Sequence, residues 1–112
     1  MKRFPSIKKY PEFREVYQAG KSRANRLLVM YVKENQLGRT RIGISASKKI
    51  GNSVVRHRAA RLIREAFRLN IGITEQGFDI VTVVRPAAVG ETYREIEKAY
   101  LHLLQLHGLC PR

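Results

Sequence analysis

Acidic residues are scarce in this chain, and so is cysteine. Nine Asp and Glu stand against 22 Lys and Arg, for a formal charge of +13 and a pI near 10.6. The nine acids are Glu12, Glu15, Glu34, Glu65, Glu75, Asp79, Glu91, Glu95 and Glu97, scattered with no cluster fit to hold two catalytic metal ions. No nucleophile–base–acid triad and no glycine-rich phosphate loop is visible, which argues against a stand-alone nuclease or hydrolase. Cys110 has no second cysteine to pair with, so no internal disulfide forms and a reducing compartment fits best. Only His107 lies near it at ligand spacing, so no metal site is expected. The longest apolar run, Leu27 to Val32, is far too short to span a bilayer. The basic start, Met1 to Pro5, is not followed by the apolar stretch of a signal peptide. The expectation is a cytoplasmic protein with no membrane association.

What is present is apolar patterning for one compact unit. The 112 residues read as a single domain, 1–112, with a basic and flexible leader over 1–8. Pro11 suits a helix's first turn and Gly20 its end, with Phe13, Val16 and Tyr17 at helical spacing between them. Leu27 to Val32 has the length of a strand. Ile42, Ile44 and Ala46 alternate with Arg41, Gly43, Ser45 and Ser47 in a second strand, and the turn at Gly38 suggests that the two form a β-hairpin. Asn52 or Ser53 can cap a helix running to about Leu69. Phe78 to Val84 is a third, largely buried strand stopped by Arg85 and Pro86. Thr92 and Glu95 open a last helix in a capping-box pattern, and Gly108 closes it. The expected fold is an α+β sandwich in the order α-β-β-α-β-α, a small sheet packed by helices.

The middle helix carries the chemistry. At about 100° per residue, Val55, Ala59, Leu62, Ile63, Ala66 and Leu69 gather on one side. His57, Arg61, Arg64 and Arg68 gather on the other, flanked by Arg56 and Arg58, with Glu65 the lone acid. Cations at these spacings repel by about a few tenths of a kcal/mol per pair, and an ordinary solvated face would interleave acids. Guanidinium forks on a rigid rod match phosphate oxygens, and the N–H groups at the helix start add a further anion site. The stripe therefore points to nucleic acid, without choosing between RNA and DNA. Phe13, Tyr17 and Tyr31 form an aromatic set that could stack bases. By spacing alone, a place in the core is the favoured reading for these three.

The stretch from Arg41 to Arg68 closely resembles the signature of the bacterial ribonuclease P protein family. Within it, Ser47, Lys48, Lys49, Ile50 and Gly51 lead into a helix bearing Arg56-His57-Arg58. The resemblance extends over nearly the whole chain, including the Pro11–Gly20 helix, Lys21 to Arg26, Phe78 to Val81, and Arg85-Pro86. Two positions depart from the family pattern: His57 stands where Asn is usual, and Ala60 where Lys is frequent. The resemblance implies a left-handed β-α-β crossover, which the general handedness rule does not anticipate. It implies a protein subunit without catalytic residues, beside an RNA subunit that uses Mg²⁺ to hydrolyse the 5′ leader from precursor tRNA. Lys48, Lys49, Asn52, Arg56, His57, Arg58, Arg61, Arg64 and Arg68 would then bind the catalytic RNA. Phe13, Tyr17, Tyr31, Arg41 and Ser45 would line a cleft for the leader, which reverses the core reading of the aromatics. No metal ligand and no obligate protein partner is expected. A structured-RNA protein with no enzyme partner is the competing reading.

Overall fold

The computed structural model describes residues 6–111. Seven elements follow one another: α1 (Tyr10–Ala19), β1 (Lys21–Ala24), β2 (Leu28–Glu34), β3 (Arg41–Ser45), α2 (Ser53–Leu69), β4 (Phe78–Val84) and α3 (Tyr93–Leu106). The α+β class holds, with three helices and a four-stranded mixed sheet. One strand is added to the expected order: Lys21 to Ala24 forms a strand of its own, antiparallel to β2.

The sheet runs β1-β2-β4-β3, and this corrects the expected hairpin. Strands β2 and β3 do not pair with each other. Instead β4 enters between them, antiparallel to β2 and parallel to β3. The cause is burial. Five of the seven residues of β4 are buried, so the strand needs cover on both faces and takes the centre. β3 and β4 are thus parallel neighbours, joined through α2 as a β-α-β unit.

The ends of the elements follow local chemistry. The Asn52 side chain accepts a hydrogen bond from Val55 N–H at 3.1 Å, and Thr92 accepts one from Glu95 N–H at 3.2 Å, so both later helices begin on side-chain caps. Gly108 takes φ 73° just after α3, a left-handed end that glycine enters freely.

Helices α2 and α3 cover one face of the sheet and α1 the other. Met30, Ile80, Ile63, Phe67, Tyr100 and Leu103 centre the larger core. On α2, Ala59, Ile63 and Ala66 are buried as expected, and Ala60 and Phe67 join them. Leu69 is a correction: it is 55% exposed, because it is the helix's last residue and stands beyond the cover of the core. Of the leader expected over 1–8, residues 1–5 lie outside the described residues. Ser6 bridges to Ile42, Ile7 N–H donates to Ile42 O at 2.7 Å, and Ile7 is buried, so from residue 6 the chain is tied to the outer edge of β3.

Gly20 joins α1 to β1 where backbones crowd. A Cβ there would lie 2.5 Å from the Val16 carbonyl oxygen and 2.9 Å from that of Val32. Gly20→Ala is expected to destabilise the fold by about 1–3 kcal/mol, the range for forcing atoms into a packed site. Urea unfolding checks this, and a midpoint equal to the parent's would contradict the close approach.

Candidate nucleic-acid interface

The outward side of α2 carries the predicted stripe. His57, Arg58, Arg61, Arg64 and Arg68 are exposed, and Arg56 is half-buried with its Nε enclosed and without a hydrogen-bond partner among the described residues. Lys48 and Lys49 are exposed on a single 3₁₀ turn, capped by Ser47, just before the helix. Asn52 uses its carbonyl oxygen as the cap. Arg68 pairs with Glu65, and Arg58 donates to the Glu91 carbonyl at 3.1 Å. Among the described residues no carboxylate pairs with Arg61 or Arg64. Two guanidinium groups one turn apart thus stand without a counter-charge on a rigid rod.

The other predicted set meets on the opposite face. Phe13 and Tyr17 of α1 lie over Tyr31 of β2, all three half-buried around Ile7, Val16 and Val81. Tyr17 and Tyr31 meet edge to face with centroids 4.9 Å apart, and Phe13 lies 6.5 Å from Tyr17. Gly43 lets the Phe13 ring rest on bare backbone: a Cβ there would come within 2.8 Å of the ring.

Strand register shows how far this cover reaches. Ser22, Tyr31, Val81 and Gly43 form one row across the four strands. Toward the ends of β2 and the starts of β3 and β4 lies the row Lys33, Asp79, Arg41; toward the other end lies Ala24, Val29, Val83, Ser45. Helix α1 closes the first end through its acids. Arg41 donates from Nε and Nη2 to both oxygens of Asp79, at 2.9 and 2.7 Å, and from Nη1 to Glu12 at 2.8 Å. Asn35 donates to Asp79 at 2.9 Å, and Lys33 lies 3.3 Å from Glu15. At the other end Val29, Val83 and Ser45 stay half-exposed and Ala24 exposed. The result is a groove with an apolar floor and aromatic wall, bolted shut at one end and open at the other.

Of the five predicted cleft residues, Phe13, Tyr17 and Tyr31 come together, and Ser45 lies in the open row. Arg41 stands at the closed end with its donors engaged by two carboxylates. Val29 and Val83 escaped the sequence reading. Val29 sits inside an unbroken apolar run that hides which residues face which side, and only the strand order reveals it.

The charge states follow from these contacts. Burial alone would raise the Asp79 carboxyl, but hydrogen bonds from Arg41 and Asn35 and the charges of Arg41 and Lys33 outweigh it, holding the group below its ordinary value. The Arg41 hydrogen bond does the same for Glu12. Elsewhere, His102 lies 3.2 Å from the Asn25 amide, while His107 lies 3.1 Å from the Met30 carbonyl and is pushed below its ordinary value by burial. Cys110 is buried, which raises its thiol. Among the described residues no group of three or more His, Cys, Asp or Glu could hold a metal ion, and no helix is long and apolar enough to cross a membrane.

Comparison with known proteins points one way. The family model described as Ribonuclease P matches residues 1–107. The chain is 55% identical over 104 residues to the ribonuclease P protein component of Lachnoclostridium phytofermentans, covering 93% of this chain and 90% of that protein. It is 50% identical over 99 residues to that of Alkaliphilus metalliredigens, covering 88% and 89%. The solved structure of the Staphylococcus aureus RNase P protein superposes with a TM-score of 0.89 at 34% identity, over 97% of this chain and 100% of that one. The Thermotoga maritima RNase P protein gives 0.85 at 27% identity, over 92% and 97%.

The closed end sets an acid sensitivity. Both carboxyls sit below their unfolded values, so the unfolded chain binds more protons as pH drops. Stability present at neutral pH is therefore lost as pH falls through the ordinary carboxylate range and on through their lowered folded values. Asp79→Asn should lower the urea midpoint at pH 7 and flatten its further decline between about pH 5 and 3. Parallel pH curves for parent and variant would show that the carboxylate is not what holds this end.

Proposed function

The chain belongs to the ribonuclease P protein family, RNA-binding components of a tRNA-processing endoribonuclease, and on that premise we propose that it grips the catalytic RNA with α2 and the 5′ leader of precursor tRNA with the groove under α1. The observation that carries this reading is the pairing of two unlike surfaces across one sheet. Arg61 and Arg64 lack counter-charges on one side, and on the other an apolar floor of Val29 and Val83 runs up to Tyr31.

Each surface suits its ligand. A folded RNA presents phosphates at fixed spacing, and guanidinium groups on a helix meet them without reorganising. Docking releases counterions from the RNA and relieves the crowding of like charge on α2. A single-stranded leader offers unpaired bases, which stack on aromatic faces and lie on aliphatic floors without regard to sequence. Lys48, Lys49, Asn52, Arg56, His57, Arg58 and Arg68 extend the helix surface, and Ser45 offers a hydroxyl at the open row. Arg41 serves the groove by holding α1 in place.

Chemistry belongs to the RNA subunit. When bound there, Mg²⁺ activates water and steadies charge on the scissile phosphate. The protein's part is to bind and orient the RNA subunit and its substrate. It acts in the cytoplasm as a ribonucleoprotein with the RNA subunit and precursor tRNA, and needs no further protein partner.

Two variants separate the surfaces in the reconstituted holoenzyme. Arg61→Ala with Arg64→Ala should weaken assembly with the RNA subunit, and the slope of log affinity against log salt should fall by about 2. Tyr31→Ala should spare assembly and reduce the preference for leader-bearing precursor over mature tRNA roughly tenfold, the loss of about one stacked base. Unchanged assembly across salt in the first case, or unchanged preference in the second, overturns the corresponding assignment. The wild-type protein should also lower the Mg²⁺ needed by a bacterial ribonuclease P RNA, and no effect on any such RNA would sink the whole reading.

A further inference from the structure

The open end of the groove gathers Arg58 of the long helix with two arginines, Arg26 and Arg85, that neither the aromatic cleft nor that helix accounts for. Arg26 lies in the turn between β1 and β2, two residues past Ala24. Arg85 follows β4 directly, two residues past Val83. Arg58 reaches across from the second turn of α2, three residues before Arg61. These side chains, from three separate elements, converge on one corner. Arg26 Nη2 lies 3.6 Å from the Glu91 carboxylate, Arg58 Nη2 donates to the Glu91 carbonyl at 3.1 Å, and Arg85 Nη1 donates to the Asn25 carbonyl at 2.9 Å.

The contacts leave most of the binding capacity of these groups unused. A guanidinium carries five N–H donors, and each of these contacts engages one nitrogen of its fork. The Arg26 side chain is 70% exposed and its ion pair is long, so that pair adds little to stability. Among the described residues only Arg26 of the three pairs with a carboxylate, while Arg58 and Arg85 rest on backbone carbonyls, so the cluster repels itself unless a further anion joins it. Position gives the corner its meaning. It sits where the open row Ala24, Val29, Val83, Ser45 runs off the sheet, and Arg58 continues it onto the stripe of α2. A strand leaving the groove at this end meets the corner before it meets the helix.

The geometry points to a phosphate-binding corner, formed by Arg26, Arg58 and Arg85, that carries the backbone of single-stranded RNA from the open end of the groove toward α2. The inference rests on the leader-binding reading above and adds to it where the leader's phosphates are held. Glu91 is the counter-charge that the RNA displaces. Its carboxylate occupies Arg26 in the free protein and opposes the incoming phosphate.

The test uses holoenzyme reconstituted with Arg26→Ala, Arg85→Ala, the double variant, and Glu91→Gln. Affinity is measured for leader-bearing precursor and for mature tRNA across a salt series. The double variant should bind leader-bearing precursor about tenfold more weakly, with a salt slope shallower by about 1.4, from about 0.7 per phosphate contact on a single strand. Binding of mature tRNA and assembly with the RNA subunit should match wild type. Glu91→Gln should move the other way and tighten leader-bearing precursor several-fold, because it removes the opposing charge. A purely structural corner would instead weaken on losing Glu91, and that result overturns the proposal. So does a double variant that retains both affinity and slope, or one that loses assembly while its leader preference stays intact. Arg85→Lys, which keeps the charge, stands in should Arg85→Ala fail to fold, and should then retain most of the affinity. Tyr31→Ala in the same series separates the two levels: leader preference unaffected by that change refutes the groove itself, whereas preference lost there but retained in the double variant refutes the corner alone.

Discussion

Helix α1 has little apolar surface with which to hold itself in place. Val16 is its one fully buried side chain, and Phe13 and Tyr17 are only half covered. What fixes the helix is the guanidinium of Arg41, with Nε and Nη2 on Asp79 and Nη1 on Glu12. Asp79 is 5% exposed, so the pair is sheltered from solvent screening. Removing one partner of such a pair strands a charge, at a cost on the order of 3 kcal/mol. This brace closes one end of the groove, and so determines that the other end is the open one. The aromatic wall, the aliphatic floor and the way out past Arg85 all follow from where α1 is held.

The brace also sorts the charge of the molecule. Glu12, Glu15 and Asp79 are three of only nine acids, and all three are engaged at the closed end. Glu97 accepts from Tyr93 and Asn70 between α2 and α3. Few acids remain to neutralise the outward side of α2, where among the described residues Glu65 alone pairs with a stripe residue. The positive field is therefore concentrated where a polyanion would approach. The same scarcity of acids leaves Arg61 and Arg64 without a paired carboxylate among the described residues.

Local signals were legible in the sequence and long-range ones were not. The start of α2 at Asn52 or Ser53, its end near Leu69 and the Thr92 cap of α3 depend on residues within one turn; the structure selects Asn52 and keeps the other two. The basic stripe was legible because helical periodicity is itself local. The hairpin reading failed because the neighbour of a strand is chosen by every strand at once. β4, more than thirty residues downstream, was the better-covered centre. The role of Arg41 was hidden for the same reason, since Asp79 is 38 residues away. Val29 and Val83 were hidden by composition, because a run of apolar residues does not announce which face each one takes. The resemblance to a known family supplied the cleft, but not the fact that one of its ends is barred.

Both borders of the sheet are blunted. β1 is four residues long and carries Lys21 and Arg23, while the outer side of β3 is occupied at Ile42 by the backbone of Ser6 and Ile7. An unpaired strand border is a template for stacking copies of a chain into ribbons, and short, charged or covered borders deny it. A protein made to be paired with RNA spends time between synthesis and assembly with that RNA absent. Over that interval its sheet gives another copy of itself nowhere to add on.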